Sequence, residues 1–353
     1  MTSAEGGWLL LRWFELIVSL FVILAGSNLF TNGVEWIGED LGLSEGMIGS
    51  VLAAIGTALP ETILPLVAIL AGHTGGDEVG IGAILGAPFM LATLAMVVVA
   101  GSAWLFASRG HRERAIQADR RVMSQDLTFF LGMYSFALIA GLVHVKALHY
   151  VLAVALLLAY GLYVRRHLRA PQEQEVEREA AGQIQPLYFR RWTGRMTGHP
   201  PAGRPPLWLT IVQTGAGLGV IIGGAKLFVS GIEYLAPKLG IPALPFALLL
   251  APVATELPET FNSVLWLRRQ RDTLAVGNVT GAMVFQSAFP VAIGLLFTPW
   301  RLTGDALVAA VVALVAGAVL LATVRWRGRL SAGPLFFQGV FYAGFVVYVL
   351  TRL

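Results

Sequence analysis

A six-residue phrase occurs twice in this chain, TALPET from Thr57 to Thr62 and TELPET from Thr255 to Thr260, each inside a long apolar stretch. Its surroundings repeat with it. At a constant offset of 198, the separation of Thr57 from Thr255, Gly26, Leu29, Phe30, Gly33, Glu35, Leu41, Gly42, Thr57, Leu59, Pro60, Glu61 and Thr62 recur without a gap as Gly224, Leu227, Phe228, Gly231, Glu233, Leu239, Gly240, Thr255, Leu257, Pro258, Glu259 and Thr260. A chain that repeats itself in this way folds as two like halves. Each half places a proline and a glutamate where uninterrupted hydrocarbon is expected.

Hydrophobic residues make up 56% of the 353, charged residues 13%, and the mean hydropathy is +0.71. Apolar runs of about 20 residues are long enough to cross the roughly 30 Å hydrocarbon layer, so the chain reads as an integral membrane protein with the lipid bilayer as its first partner. The 40 glycines fit, because helices pack in lipid through small residues. Apolar stretches at about 8–31, 46–71, 79–106, 126–143, 147–165, 207–235, 242–267, 273–297, 304–324 and 334–351 predict an all-α membrane protein of ten transmembrane helices. Residues 1–166 hold the first five, 167–206 form a polar linker, and 207–353 hold the second five. Five is odd, so the second set crosses the membrane in the opposite sense to the first. The expectation is an inverted repeat, with the substrate site near the midplane where the halves meet. The run from Trp8 to Leu24 has no preceding basic cluster and no convincing cleavage site, and reads as a retained first helix.

The formal charge of +4 gathers in loops: Arg109, Arg112, Arg114, Arg120 and Arg121 after the third stretch, Arg165, Arg166, Arg169, Arg178, Arg190, Arg191, Arg195 and Arg204 at and after the end of the fifth, Arg268, Arg269 and Arg271 after the seventh, and Arg325, Arg327 and Arg329 after the ninth. With ten crossings these loops share one side. The positive-inside rule makes that side cytoplasmic, with the linker there, both termini outside and the cell (inner) membrane as the location. A basic balance confined to loops reports orientation, not a nucleic-acid surface. The absence of cysteine excludes disulfides and thiolate-bound metals, and the six histidines show no ligand spacing, so no cofactor or zinc site is expected. The linker reads as a solvated connection, with Leu187 to Met196, where aromatics alternate with arginines, as its one segment suited to lipid contact or regulation.

An ionisable residue inside a spanning helix is a functional hypothesis by default, which singles out Glu61 and Glu259. Pro60 and Pro258 each lack an N–H and so free a carbonyl one turn earlier, near Thr57 and Thr255. Glu256 adds a third carboxylate in the second copy, opposite Ala58 of the first.

Here the chain resembles the Ca2+/cation antiporter superfamily that includes the Na+/Ca2+ exchangers. Its repeats carry a G-(S/T)-x-L-P-E type motif on the second helix and a G-N-x-x-G-S-N-x-x-(N/D) type motif on the third. The first motif reads GTALPE from Gly56 and ATELPE from Ala254; the second reads GNVTGAMVFQ from Gly277 but GAILGAPFML from Gly82. The resemblance implies alternating-access exchange of a cation, with Glu61 and Glu259 as central ligands and Asn278 and Gln286 as further polar positions. It also implies that the long first and sixth helices slide against a core of the second, third, seventh and eighth. The departures lie on the third helix, where Ala83, Ala87, Pro88 and Leu91 offer no side-chain oxygen, and in the second copy, where Ala282 and Met283 replace the Ser-Asn pair.

Calcium takes about six to eight oxygens from carboxylates and carbonyls. Glu61, Glu259 and Glu256, with carbonyls near Thr57 and Thr255, can supply a single Ca2+ or related divalent ion. Several sodium sites beside it fit less well, because the first copy's third helix has lost its oxygens. Protons need no shell of ligands, since a buried carboxylate is neutralised by a proton as well as by a metal. The counter-ion is therefore H+ or Na+, and a monovalent Na+/H+ exchanger on the same scaffold is the alternative. Glu256 reads either as a third ligand or proton carrier, or as the partner of Lys226, which itself can instead snorkel outward. Asn278 and Gln286 also read as interhelical glue. Gly82, Gly86, Gly277 and Gly281 read as close-packing positions, and Glu35 and Glu233 as helix-end groups. A channel requires a continuous pore, and an intramembrane enzyme requires a nucleophile or metal constellation beyond the LPE pair, which the sequence does not contain.

Overall fold

The computed structural model describes residues 3–41, 58–70, 75–110, 112–113, 115–167, 185–197, 203–302, 304–327 and 331–352. All of the elements are helices. In chain order they are α1 (Ser3–Asp40), α2 (Leu59–Leu70), α3 (Gly76–Ser108), α4 (Arg120–Leu142), α5 (Lys146–His167), α6 (Tyr188–Thr197), α7 (Leu207–Leu239), α8 (Ala243–Thr255), α9 (Leu257–Arg268), α10 (Asp272–Phe297), α11 (Gly304–Arg327) and α12 (Ala332–Leu350). Eight of them, α1, α3, α4, α5, α7, α10, α11 and α12, are long and apolar enough to cross a membrane.

The predicted elements need correction in the seventh, first and sixth stretches and in the linker. The seventh stretch, expected as one helix over 242–267, is broken at Glu256 into α8 and α9. The cause is local: Pro258 has no N–H to return to the carbonyl one turn back, and Pro252 loosens the preceding turn in the same way. The first helix runs on to Asp40 and the sixth to Leu239, well past the expected ends. The linker contains a helix, α6, that apolar periodicity did not announce. Of the predicted second helix, α2 covers the later part; 42–57, including Thr57, lie outside the described residues.

Two glycine-lined contacts organise the interior. α1 and α7 lie against each other where Gly26 meets Gly217 and Ile221, Gly217 meets Phe30, and Gly224 meets Ile23; a Cβ on Gly217 would fall 2.6 Å from the Phe30 nitrogen. α3 approaches α8 in the same manner, since a Cβ on Gly82 would lie 2.6 Å from the Leu244 carbonyl and one on Gly86 2.7 Å from Pro252 Cγ. Backbones come this close only where side chains are absent. Partway along, α3 widens into a π turn at Leu91–Ala95, beyond Pro88, where the Thr93 hydroxyl donates to the Phe89 carbonyl at 2.6 Å. Such turns arise where the regular ladder is interrupted.

Polar clamps hold the two ends of the bundle. At one end buried Arg112 donates to Asp272 (2.6 Å) and to the carbonyls of Ala115 and Leu267, the Gln117 N–H also donates to Asp272 (2.7 Å), and Arg120 donates to the carbonyls of Val324 and Arg325. The segment after α3 is thereby tied to the α9–α10 corner and to the end of α11. At the other end Lys146 donates to the Thr298 carbonyl (2.7 Å), the Trp300 indole to the Ala137 carbonyl (3.0 Å), and the Leu302 N–H to the Gly141 carbonyl (3.2 Å). Between these clamps a core of Phe89, Phe130, Tyr134, Val279, Met283 and Trp300 is fully enclosed. Trp8, Phe14, Val151 and Leu158 lie exposed on outward faces, as expected of helices surrounded by lipid.

Candidate functional site

The interrupted helices bring the two copies of the repeated phrase together. Glu61 stands in the first turn of α2, Glu259 in the first turn of α9, and Glu256 at the junction of α8 and α9, ending one helix and preceding the other. Each residue offers a carboxylate oxygen, and these three atoms all lie within 4.8 Å of one another. Glu61, Glu256 and Glu259 are 4%, 0% and 5% exposed, so water does not separate their charges. The first turns of α2 and α9 are the positive dipole ends of those helices, a setting that favours negative charge at Glu61 and Glu259. Mutual repulsion works the other way. Two carboxylates this close repel by about 3 kcal/mol even at an effective dielectric of about 20. Buried like charges are tolerated when something positive lies among them, so the arrangement suits a cation.

The oxygens around this cluster are unevenly used. Gln286 of α10 donates its amide to Glu256 Oε1, and the Thr255 hydroxyl reaches the same oxygen and the Ala251 carbonyl, both at 3.4 Å. Glu256 is further fixed through its backbone, its N–H donating to Pro252 (2.8 Å) and its carbonyl accepting from Thr260 (3.0 Å). Among the described residues, neither carboxylate oxygen of Glu61 accepts a hydrogen bond, nor do Glu256 Oε2 and Gln286 Oε1. Four buried acceptors are therefore left unengaged on the three clustered acids and on the amide bound to one of them. This is the donor set that hard cations take.

The other predicted residues fall in different places. Asn278 donates to the Glu259 backbone carbonyl (2.8 Å) and to Ser263 (3.2 Å), while Ser263 donates to the same carbonyl (2.9 Å). It binds α10 to α9 behind the carboxylates, in the manner of interhelical glue. Lys226 is a correction: it lies on an exposed face of α7, and no ion pair joins it to Glu256 among the described residues. The reason is steric and electrostatic together, since Glu256 is enclosed and engaged by Gln286 while a lysine ammonium keeps its hydration by pointing outward. Ala83, Ala87, Pro88 and Leu91 are buried on α3 with no side-chain oxygen to give. Gly82 and Gly86 are close-packing positions as expected, whereas a Cβ on Gly277 would meet nothing within 4 Å and one on Gly281 only the Tyr163 hydroxyl at 3.7 Å.

One buried acid was missed. Asp126 of α4, 1% exposed, accepts from Tyr163 of α5 (3.0 Å) and from Thr280 of α10 (2.6 Å). Its signal was present as the first residue of an apolar stretch. Placing the helix start at 126 made it look like an end group, whereas α4 begins at Arg120, with the Asp119 side chain accepting from the Arg121 N–H. Asp126 joins three helices on the far side of α10 and is not among the three clustered carboxylates.

Comparison with known proteins covers most of the chain. The model of the Sodium/calcium exchanger protein family matches residues 11–167 and 209–351. The inner membrane protein YrbG of Escherichia coli (strain K12) is 23% identical over 323 residues, which is 90% of each chain. Among solved structures, the H+/Ca2+ exchanger CAX aligns over 96% of this chain and 87% of its own, with a TM-score of 0.66 and 15% identity. The sodium-calcium exchanger NCX_Mj, in crystals soaked with Na+ and Sr2+, aligns over 98% and 99%, with a TM-score of 0.55 and 20% identity.

Proposed function

Since this chain belongs to the sodium/calcium exchanger family of secondary transporters, we propose that it exchanges Ca2+, or a related divalent cation, for H+ or Na+ by alternating access. The observation that carries the reading is the meeting of Glu61, Glu256 and Glu259 within 4.8 Å, buried and contributed by both copies of the repeated phrase. Three acids favour a divalent ion over a monovalent one, because charge count sets affinity in oxygen sites. Thr255 and Gln286 belong to this site through Glu256, Asn278 holds its α9 wall, and the carbonyls near Thr57 and Thr255 complete the oxygens.

The proposal includes the architecture. Residues 1–166 and 207–353 form two five-span halves of opposite orientation, with α8 and α9 making one discontinuous span and α2 ending its counterpart. The linker at 167–206 faces the cytoplasm, both termini face outward, and the protein resides in the cell membrane. Broken spans meeting at a pseudo-two-fold axis are the arrangement in which secondary transporters hold ions. Exchange follows from competition, since two kinds of cation share one set of acids and the occluded passage is favourable only when their charge is neutralised.

The test is uptake of radiolabelled Ca2+ into proteoliposomes under an imposed Na+ gradient or an imposed pH gradient, for wild type, Glu61→Gln and Glu259→Gln. Uptake under one gradient, lost in both variants, is the expected result and names the counter-ion. Absence of calcium flux under either gradient removes the divalent assignment, and the same vesicles then report Na+/H+ exchange.

A further inference from the structure

The linker helix α6 is fastened to the long helices by an unusual route. The first N–H groups of any helix have no partner within it. Here the Tyr188 N–H donates to Asn32 Oδ1 of α1 (3.1 Å) and the Phe189 N–H to Gln213 Oε1 of α7 (2.8 Å). The remaining amide hydrogens close the knot: Asn32 donates to the Gln185 carbonyl (2.9 Å), and Gln213 donates to the Leu29 carbonyl (3.1 Å) and to Asn32 (3.0 Å). The Trp36 indole also donates to Gln185 (3.0 Å). Asn32, Gln213 and Leu187 are all buried. One polar knot therefore joins α1, α7 and the start of α6.

Its depth can be read from the helices. Asn32 precedes the end of α1 at Asp40, and Gln213 follows the start of α7 at Leu207. At about 1.5 Å per residue the knot lies about 9–12 Å inside the ends of both helices. α6 is thereby set beside the ends of two spanning helices, the region in which amphipathic helices lie with their apolar face about 5–10 Å into the boundary between headgroups and acyl chains. The sequence of α6, YFRRWTGRMT, has three arginines, three aromatics and no acid. Arg190 turns toward the chain and donates to the Gly203 carbonyl. Arg191 and Trp192 are exposed instead, and the Trp192 ring lies 5.5 Å from that of Phe189.

We propose that α6 is an anionic-lipid contact: Arg191 and the Phe189–Trp192 face engage phospholipid headgroups, and the Asn32–Gln213 knot passes that attachment to α1 and α7. Charge selects the occupant, because a basic helix without acids, held at headgroup depth, meets lipid phosphates before any soluble anion. The contact requires only that the chain spans a bilayer. Any effect on exchange rests on the function proposed above, so the test reads lipid binding and not flux.

The full chain contains no cysteine, so Thr193→Cys accepts a single nitroxide label on α6. Its spectrum is recorded in vesicles of phosphatidylcholine alone and of phosphatidylcholine and phosphatidylglycerol in equal parts. The expected result is a label immobilised at headgroup depth in the anionic vesicles and more mobile in the neutral ones. Arg191→Gln, a change at an exposed residue that leaves the fold intact, should raise the phosphatidylglycerol fraction needed for half-maximal immobilisation by roughly two- to fivefold. Asn32→Leu with Gln213→Leu should leave the lipid response but free the label from the motion of α1 and α7, read as the loss of a fixed distance to a second label on α7. Equal spectra in the two vesicle types overturn the proposal. So does equal immobilisation in neutral vesicles by inorganic phosphate, which would make the ligand a free anion, or by raising the protein-to-lipid ratio, which would make it a second copy of the chain.

Discussion

α3 and α10 carry the two versions of one motif, GAILGAPFML and GNVTGAMVFQ, and they do opposite things with their side chains. α3 packs against α8 through Gly82 and Gly86 and brings Ala83, Ala87, Pro88 and Leu91 into the interior, all without a side-chain oxygen. α10 leaves Gly277 open, supports α9 through Asn278, and reaches Glu256 through Gln286. The same division separates α2, with one acid, from the α8–α9 junction, with two. The repeated phrase brings an acid from each of its copies to one place. It does not oblige both copies to supply equal numbers of ligands, because a site at the meeting point accepts oxygens from either side.

The largest test of this asymmetry is to remove single acids. Glu61→Gln withdraws the one acid that the first copy gives to the cluster and should reduce Ca2+ affinity by roughly a hundredfold or more, since a site's charge count sets its affinity. Glu256→Gln leaves an acid in each copy and should cost less, a ranking that equilibrium binding by calorimetry would reverse if the second copy alone held the ion. Next in size is Gln286→Leu, which frees Glu256 Oε1 and should weaken the ion by about 10- to 100-fold, the usual range for groups that orient a ligand. Retained affinity in that variant would mean that Thr255 suffices to hold the carboxylate. A smaller effect contrasts the glycines. Gly82→Ala drives a methyl against the Leu244 carbonyl and should destabilise by about 1–3 kcal/mol, whereas Gly277→Ala meets open space and should change stability by about 0.5 kcal/mol or less, apart from a gain in helix propensity. Thermal unfolding of the two variants in detergent gives the comparison directly. Smallest is Lys226→Met, at an exposed position without a carboxylate partner among the described residues, for which flux within about twofold of wild type is expected. A large loss would restore Lys226 to the site.

Much of this was legible because the two strongest signals are physical. Apolar length marks membrane helices whatever they bind, and an acid in hydrocarbon is rare enough that two in register, Glu61 and Glu259, point to one site. What was not legible depended on where backbones break and turn. Pro252 and Pro258 flank Glu256, but whether two prolines kink a helix or end it depends on what packs around them, so the choice of Glu256 between Gln286 and Lys226 could not be made from spacing. Asp126 was hidden by a misplaced helix start, because arginines at 120 and 121 look like loop when only hydropathy is weighed. The capping of α6 by Asn32 and Gln213 joins residues far apart in the chain, which no local pattern can foresee.

The length of α1 carries a further consequence. From Gly7 to Asp40 it has 34 residues, or about 50 Å of helix, and its apolar stretch at 8–31 alone is about 36 Å long, against a hydrocarbon layer of about 30 Å. Such a stretch fits by leaning or by thickening the lipid around it, while the acidic last turns project beyond, and α7, packed along α1 through glycines, follows. Hydrophobic mismatch then becomes a control on the protein: a thicker membrane stands the pair upright and a thinner one lays it down, so acyl-chain length alone should shift the balance between its conformations.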